Sequence, residues 1–106
     1  MEAEPRSIQL PRGQAWAETW QHADDDDVAI NLTGMTGELE ISASAAGGVL
    51  ATGTWTPGAT TGEADLALTE EQVDLFADHR VLHWTLRITD TLGEVHEARG
   101  TIYMLD

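Results

Sequence analysis

The chain has no cysteine, no lysine, a single phenylalanine and a single tyrosine among its 106 residues. The lack of cysteine excludes disulfide bonds, thiol catalysis and zinc sites built on thiolates. No window approaches the roughly 18 consecutive apolar residues that a membrane-spanning helix needs. The first residues are acidic and polar, the reverse of a secretory signal with its basic start and apolar stretch, so we do not expect export by that route.

Basic residues are scarce. Five arginines face nineteen acidic residues, which gives a formal net charge of -14. Such a surface repels nucleic-acid phosphates and anionic lipids, so we expect neither nucleic acid nor membrane as a partner. Solubility is the simplest interpretation of the charge; a halophilic or lysine-avoiding source, or a partner with a basic surface, are the others. The length fits one domain.

Apolar residues alternate with polar ones along several short segments, which predicts half-buried strands. The clearest segment is 82–89, where Leu82, Trp84, Leu86 and Ile88 share one face. The same alternation occurs at 38–42 and 64–68. About seven strands separated by turns every 8 to 12 residues are expected, a spacing typical of a β-sandwich or barrel.

Two glycine-containing sites predict features of the strands. Gly47-Gly48 separates two strand segments and predicts a hairpin turn, since glycine adopts positive φ at no steric cost. In the last strand the apolar phase changes between Val95 and Ile102. A β-bulge near Arg99-Gly100 would account for that change.

One short helical turn is also predicted. Thr69 and Gln72 have the spacing of a capping box, in which each side chain bonds the other residue's backbone N–H. Val73 and Phe76 would then lie on one side and anchor the turn to the strands. An irregular crossover is the alternative.

Two groups of residues are candidates for binding metal. The run Asp24–Asp27 offers hard oxygen ligands for calcium, but its spacing does not fit an EF-hand loop. A solvated hairpin turn is the preferred interpretation, with a weak calcium site involving Glu18 or Asn31 as the alternative. His79 and His83 run into a strand, where residues four apart are separated by about 13 Å. We therefore predict no metal site.

The sequence offers no arrangement typical of an enzyme. Serine is scarce and has no nucleophile-elbow pattern. No carboxylate lies in an apolar context with a partner that would raise its pKa, and Gly47-Gly48 lacks the lysine and helix of a phosphate-binding loop. We predict no catalytic residues, no cofactor and no enzymatic activity.

Four tryptophans are informative in so small a chain. Trp84, Trp20 and Trp55 are predicted to lie in the core. Trp16 lies on the same strand face as Glu18 and Trp20, and two roles for it stay open, burial or an interface, because tryptophan is common at both. A platform on which Trp16 stacks a sugar ring is a third hypothesis.

Arg87 and Arg99 fall on the last two strands and are expected on one face of the sheet. Pairing with Glu97, Asp90 or Glu94 would contribute under about 1 kcal/mol per surface pair. The functional alternative is docking onto an acidic neighbour, including another copy of this chain.

The order of turns and strands resembles a known family. It begins at Arg12-Gly13, continues through Ile30–Gly34 and Thr69–Phe76, and closes with Arg99–Ile102. This order is similar to the small immunoglobulin-like β-sandwich modules of tailed bacteriophages, in particular the N-terminal domain of the baseplate upper protein and its tail-associated relatives. Gln14 stands where that family more commonly has Asp, and Ile30-Asn31 stands where an acidic residue usually precedes the leucine.

The resemblance implies an immunoglobulin-like β-sandwich at 10–106. We expect an N-terminal arm at 1–9, which is either flexible or pairs with a neighbouring subunit. It implies a non-enzymatic structural protein of the virion, in the tail, baseplate or fibre-adaptor region, assembled in the host cytoplasm. Its partners would be other virion proteins and further copies of itself, as in a trimer. Capsid decoration and a glycan-binding adhesion module are the alternatives. The residues expected at an interface are Ile8, Leu10, Trp16, Arg87 and Arg99.

Overall fold

Alternating apolar residues form seven strands in the computed structural model, which describes residues 7–23, 26–44 and 47–105. One short helix, α1 (Glu70–Asp74), lies between the fifth and sixth strands. No helix in the described part of the chain is long and apolar enough to cross a membrane. The strands are β1 (Ser7–Pro11), β2 (Trp16–Gln21), β3 (Thr36–Ser42), β4 (Val49–Pro57), β5 (Glu63–Leu68), β6 (Val81–Thr89) and β7 (Val95–Leu105).

The strand order is that of an immunoglobulin-like fold. The strands run β1-β7-β6-β3-β4-β5-β2, with β1 and β7 parallel and every other pair antiparallel. In an immunoglobulin domain, strands C, F and G form one sheet, and strands B, E and D belong to the other. The neighbours β3-β6-β7 and β2-β5-β4 reproduce these two sets, and hydrogen bonds between β3 and β4 join them into one continuous sheet.

The continuous sheet folds over so that its two halves face each other. Trp20 of β2 meets Trp84 of β6 edge-on, with ring centroids 5.1 Å apart, although three strands separate β2 from β6 in the sheet order. Both rings are fully buried. The prediction of an all-β sandwich with about seven strands and one helical turn is therefore confirmed.

The predicted inward faces form the core. Leu82, Trp84, Leu86 and Ile88 of β6 are buried, as are the inward apolar residues of β3 and β5: Leu39, Ile41, Ala64, Leu66 and Leu68.

The predicted capping box at α1 is present. Thr69 N–H donates to Gln72 Oε1 at 2.9 Å, and Gln72 N–H donates to Thr69 Oγ1 at 3.2 Å. Each side chain of the capping box accepts a hydrogen bond from a backbone N–H at the start of the helix, which has no partner within the helix. Val73 and Phe76 are buried, so the helix is anchored to the sheet as expected.

The bulge predicted near Arg99-Gly100 is wrong. The register of β6 against β7 is continuous from Val81 opposite Tyr103 to Thr89 opposite Val95. Val95 is 58% exposed and lies on the outer face, so it never belonged to the inward set and the phase does not change. The irregularity lies instead in the β3–β4 pair, between Ile41 and Ser42.

Gly47-Gly48 lies in the connection between the antiparallel strands β3 and β4, as predicted. The expected reason, a positive φ at glycine, does not apply. Neither glycine has a positive φ. Gly47 N–H donates to the Ser44 carbonyl at 3.1 Å, which closes this side of the turn. Residues 45 and 46 lie outside the described residues.

The prediction of an N-terminal arm at 1–9 is wrong from residue 7 onward. Ser7–Pro11 forms β1, which pairs in parallel with residues 101–105 of β7 in the same chain. Ile8 and Leu10 alternate with Ser7 and Gln9, and their side chains are buried in the core. Residues 1–6 of the expected arm lie outside the described residues.

Candidate interaction surface

The outer face of β7, β6 and β3 brings Arg87 and Arg99 together, as predicted. Arg87 Nε lies 2.6 Å from Glu97 Oε2, and Arg99 Nη2 lies 3.8 Å from Glu97 Oε1. Arg87 also forms an ion pair with Glu40 of β3. Both arginines are well exposed, so each pair contributes well under about 1 kcal/mol after solvent screening. The predicted pairing with Glu97 is present, while Asp90 has a different partner.

The same outer face carries three exposed apolar side chains at one end. Val81 of β6 and Tyr103 of β7 are direct cross-strand partners, and each is 45% exposed. Leu105, two residues further along β7, is 42% exposed and lies opposite Pro11. We refer to Val81, Tyr103 and Leu105 as the apolar strip. Sequence reasoning missed it because an apolar residue in a strand is ordinarily assigned to the core.

The opposite half of the sandwich presents an acidic outer face along β2 and β5. Thr19 Oγ1 donates to Asp65 Oδ1 at 2.7 Å, and Gln21 Nε2 donates to Glu63 Oε1 at 3.4 Å, in both cases from β2 to β5. The next pair along, Ala17 opposite Ala67, adds only methyl groups. We refer to these six outward residues of β2 and β5 as the acidic face.

Trp16 is buried within its own chain, with 7% of its surface exposed. Its indole N–H donates to Glu18 Oε2 at 3.1 Å. Trp55, 5% exposed, donates its indole N–H to His22 Nε2 at 3.2 Å in the interior. The hypothesis of a sugar platform on Trp16 is therefore wrong, because neither indole offers a face to solvent.

Ile8 and Leu10, the arm residues expected at an interface, are also buried in their own core. Their side chains are part of the hydrophobic core, so they offer no surface to a partner. Of the five residues expected at an interface, only Arg87 and Arg99 lie on the outside.

A cluster that sequence reasoning missed closes the turn between β6 and β7. Asp90 Oδ1 accepts hydrogen bonds from the N–H groups of Leu92 (2.9 Å) and Glu94 (3.0 Å). Asp90 Oδ2 lies 2.9 Å from His96 Nε2. The hydrogen bond with His96, followed by those with Glu94 and Leu92, lowers the pKa of Asp90 below its ordinary value. The signal in the sequence was an Asp before a Gly-containing turn with a His beyond it.

The donor atoms of Asp90, Glu94 and His96 all lie within 4.8 Å of one another, a spacing that a divalent cation could bridge. Both oxygens of Asp90 already accept hydrogen bonds, so the arrangement works as a cap for the turn. Among the described residues, His79 and His83 join no such group of ligands.

The described part of the run Asp24–Asp27 has the geometry of an exposed turn. Asp26 and Asp27 are exposed, and Asp27 has a φ of 64°, in the left-handed region that Asp tolerates better than most residues. An antiparallel bridge between Ala23 and Ala29 closes the turn. Asp24 and Asp25 lie outside the described residues.

No family model matches the sequence, and a search of curated proteins finds no significant relative. Among solved structures, the chain is similar to the crystal structure of the ZIG-8 IG1 homodimer, with a TM-score of 0.39 and 12% sequence identity. The match covers 96% of this chain and 82% of that one. The immunoglobulin-like assignment stands on the strand order given above.

Proposed function

We propose that this chain is a non-enzymatic structural protein of a tailed-phage virion, in the tail, baseplate or fibre-adaptor region, which acts through protein–protein contacts. The resemblance of the sequence to immunoglobulin-like phage modules supports a place in the virion. The apolar strip is the single structural observation that favours protein contact, because it holds two paired apolar side chains on an outer face.

The chemistry of the described residues agrees with a role in contact. The His–carboxylate pair Asp90–His96 serves the backbone of a turn. The buried pair of His22 and Trp55 is enclosed in the core, where a substrate has no access. An assembly module needs only a stable scaffold and a complementary surface, and both kinds of pair serve the scaffold.

Mass spectrometry of purified phage particles from the source that encodes the chain tests this proposal. We expect peptides of the chain in a fixed ratio to a major tail protein through successive density gradients. Immunogold labelling then locates it, and label on the head would favour capsid decoration over the tail. Loss of the chain from the particles at the first gradient would contradict a structural role in the virion.

A further inference from the structure

We propose that the apolar strip docks on the acidic face of a second copy of this chain, so that copies associate head to tail. This inference rests on the proposed assembly function and names the partner. The apolar strip (Val81, Tyr103 and Leu105) and the acidic face lie on the outer faces of opposite halves of the sandwich.

Among the described residues, arginine occurs in only one half of the sandwich, the half that carries the apolar strip. Residues 13–79 contain no lysine or arginine, while acidic residues recur throughout that stretch. The described arginines lie on or directly beside the strands of the other half: Arg12 follows β1, Arg80 precedes β6, Arg87 lies on β6 and Arg99 on β7. Glu40 and Glu97 share the outer face with Arg87 and Arg99 and pair with them, so that face carries both signs. The acidic face carries two carboxylates and no arginine among the described residues.

One arginine adjoins the apolar strip and a second lies further along the same face. Arg80 is exposed and immediately precedes Val81, and Arg99 lies on the same face of β7 as Tyr103, with Thr101 between them. On the acidic face, Thr19 donates to Asp65 and Gln21 donates to Glu63, and no arginine of the described residues pairs with either carboxylate. A cation from a second copy would give these carboxylates an opposite charge that the described part of the chain does not place there.

The acidic face also offers a site for an apolar side chain. Ala17 and Ala67 are cross-strand partners with side chains no larger than a methyl group, which leaves room for the ring of Tyr103. When two sheets pack face to face, the side chains of their facing surfaces interdigitate.

The net charge of -14 opposes any contact between copies, and the ionic strength decides how far that repulsion reaches. The shortest dimension of the molecule is 21 Å. At physiological ionic strength the screening length is about 8 Å, so the charges that meet at the contact dominate over those on the far sides. We therefore expect association to strengthen when salt rises from about 20 to about 150 mM, the opposite of a contact held by ion pairs alone.

Because the two faces differ, the contact is heterologous and leaves a free face at each end of any open assembly. Sedimentation velocity on the full chain at 150 mM salt should give a weight-average mass that rises with concentration past the dimer. The variants Tyr103→Glu, which blocks the strip, and Asp65→Lys, which blocks the acidic face, should each be monomeric. Mixed in equal amounts, they should form a dimer and nothing larger, because each supplies the face that the other lacks.

Two further measurements keep this test decisive. Leu92→Glu changes an apolar side chain that is more exposed than the strip but lies in the β6–β7 turn, and it should associate like the original chain. Tyr103→Ser serves as a second strip variant if Tyr103→Glu has an altered circular dichroism spectrum. A dimer formed by Asp65→Lys alone would overturn the head-to-tail contact. A monomer at every concentration would overturn self-association. It would not bear on the proposed function, which is tested separately by detecting the chain in purified virions.

Discussion

Glu18 accepts the indole N–H groups of Trp16 and Trp20 on its two separate carboxylate oxygens, at 3.1 and 3.0 Å. The three residues alternate along β2, in which the tryptophans are buried and Glu18 is exposed. This strand ends the sheet order and has only β5 as its neighbour there. A charged side chain on such an edge strand discourages pairing with another sheet edge. The glutamate thus orders two core tryptophans and protects the edge at the same time.

We expect Glu18→Ala to lower the free energy of unfolding by about 1–2 kcal/mol, because two partly buried indole donors lose a charged acceptor. Glu18→Gln retains one acceptor oxygen, so its free energy of unfolding should lie between those of Glu18→Ala and the original chain. Urea denaturation followed by tryptophan fluorescence gives the values. Asp78→Asn, an exposed change in the loop before β6, is the control and should match the original chain. Equal stability of Glu18→Ala and the original chain would show that these bonds contribute nothing.

Gly37 of β3 lies directly under the ring of Trp55 of β4. A Cβ at residue 37 would come within 2.7 Å of that ring, whereas a Cβ at Gly48 would meet nothing within 4 Å. Gly37→Ala should therefore destabilise the fold by about 1–3 kcal/mol through overpacking. Gly48→Ala should be neutral or slightly stabilising, because it only restricts the unfolded chain. Thermal unfolding of both variants tests the contrast, and equal melting temperatures would argue against close packing at Gly37.

Asp90 should make stability depend on pH in acid. Its pKa is lowered in the folded state, chiefly by the hydrogen bond with His96. The stabilisation is therefore fully present above the unfolded value of about 3.9 and is lost as pH falls through the lower folded value. The stability difference between the original chain and Asp90→Asn should shrink over that window. Urea denaturation of both proteins from pH 6 downward measures it, and a difference that stays constant would contradict the assignment.

Arg12 connects the end of β1 to the segment that follows α1. Its guanidinium donates to the carbonyls of Ala77 and His79, at 2.5 and 3.0 Å. Both carbonyls lie just beyond the helix, where backbone acceptors lack helical partners. Arg12→Ala should cost about 1–2 kcal/mol of stability, and Arg12→Lys should recover only part of it because it lacks the planar fork.

Hydrogen exchange locates the effect of Arg12. The N–H groups of Ala77 and His79, which donate to Asp74 and Phe76, should exchange faster in Arg12→Ala than in the original chain. Amides in the middle of β6 should keep their rates at low denaturant. Uniform acceleration across the domain would mean that Arg12 supports the whole fold and not this segment.

The strands and the helix cap could be predicted because their signals are local. From Leu82 to the end of β6 each apolar residue is followed by a polar one, and the two members of the capping box at α1 are three residues apart. The prediction of a bulge in β7 was wrong because Val95 was counted among the inward residues. When both alternating sets of a strand contain apolar residues, alternation alone does not tell which set faces the core. Only the pairing of β7 with β6 places Val95 on the outside.

The candidate surface could be predicted only in part. Arg87 and Arg99 were expected on one face because neighbouring antiparallel strands fix that relationship. Ile8 and Leu10 were assigned to an arm because nothing near them in the sequence indicates a partner, and their partner β7 lies at the far end of the chain. The bonds of Glu18 and Asp90 depend on rotamers and turn geometry that residue order does not determine.

The parallel pairing of β1 with β7 has a consequence for how the chain reaches its native state. Ser7 pairs with Thr101 and Pro11 with Leu105, so the first strand completes its hydrogen bonds only when the last has been synthesised. Contacts between such distant residues make folding slow, and they postpone it until synthesis is almost finished. During translation, the apolar side of β1 therefore remains exposed to solvent and to chaperones for nearly the whole time that the ribosome needs to make the domain.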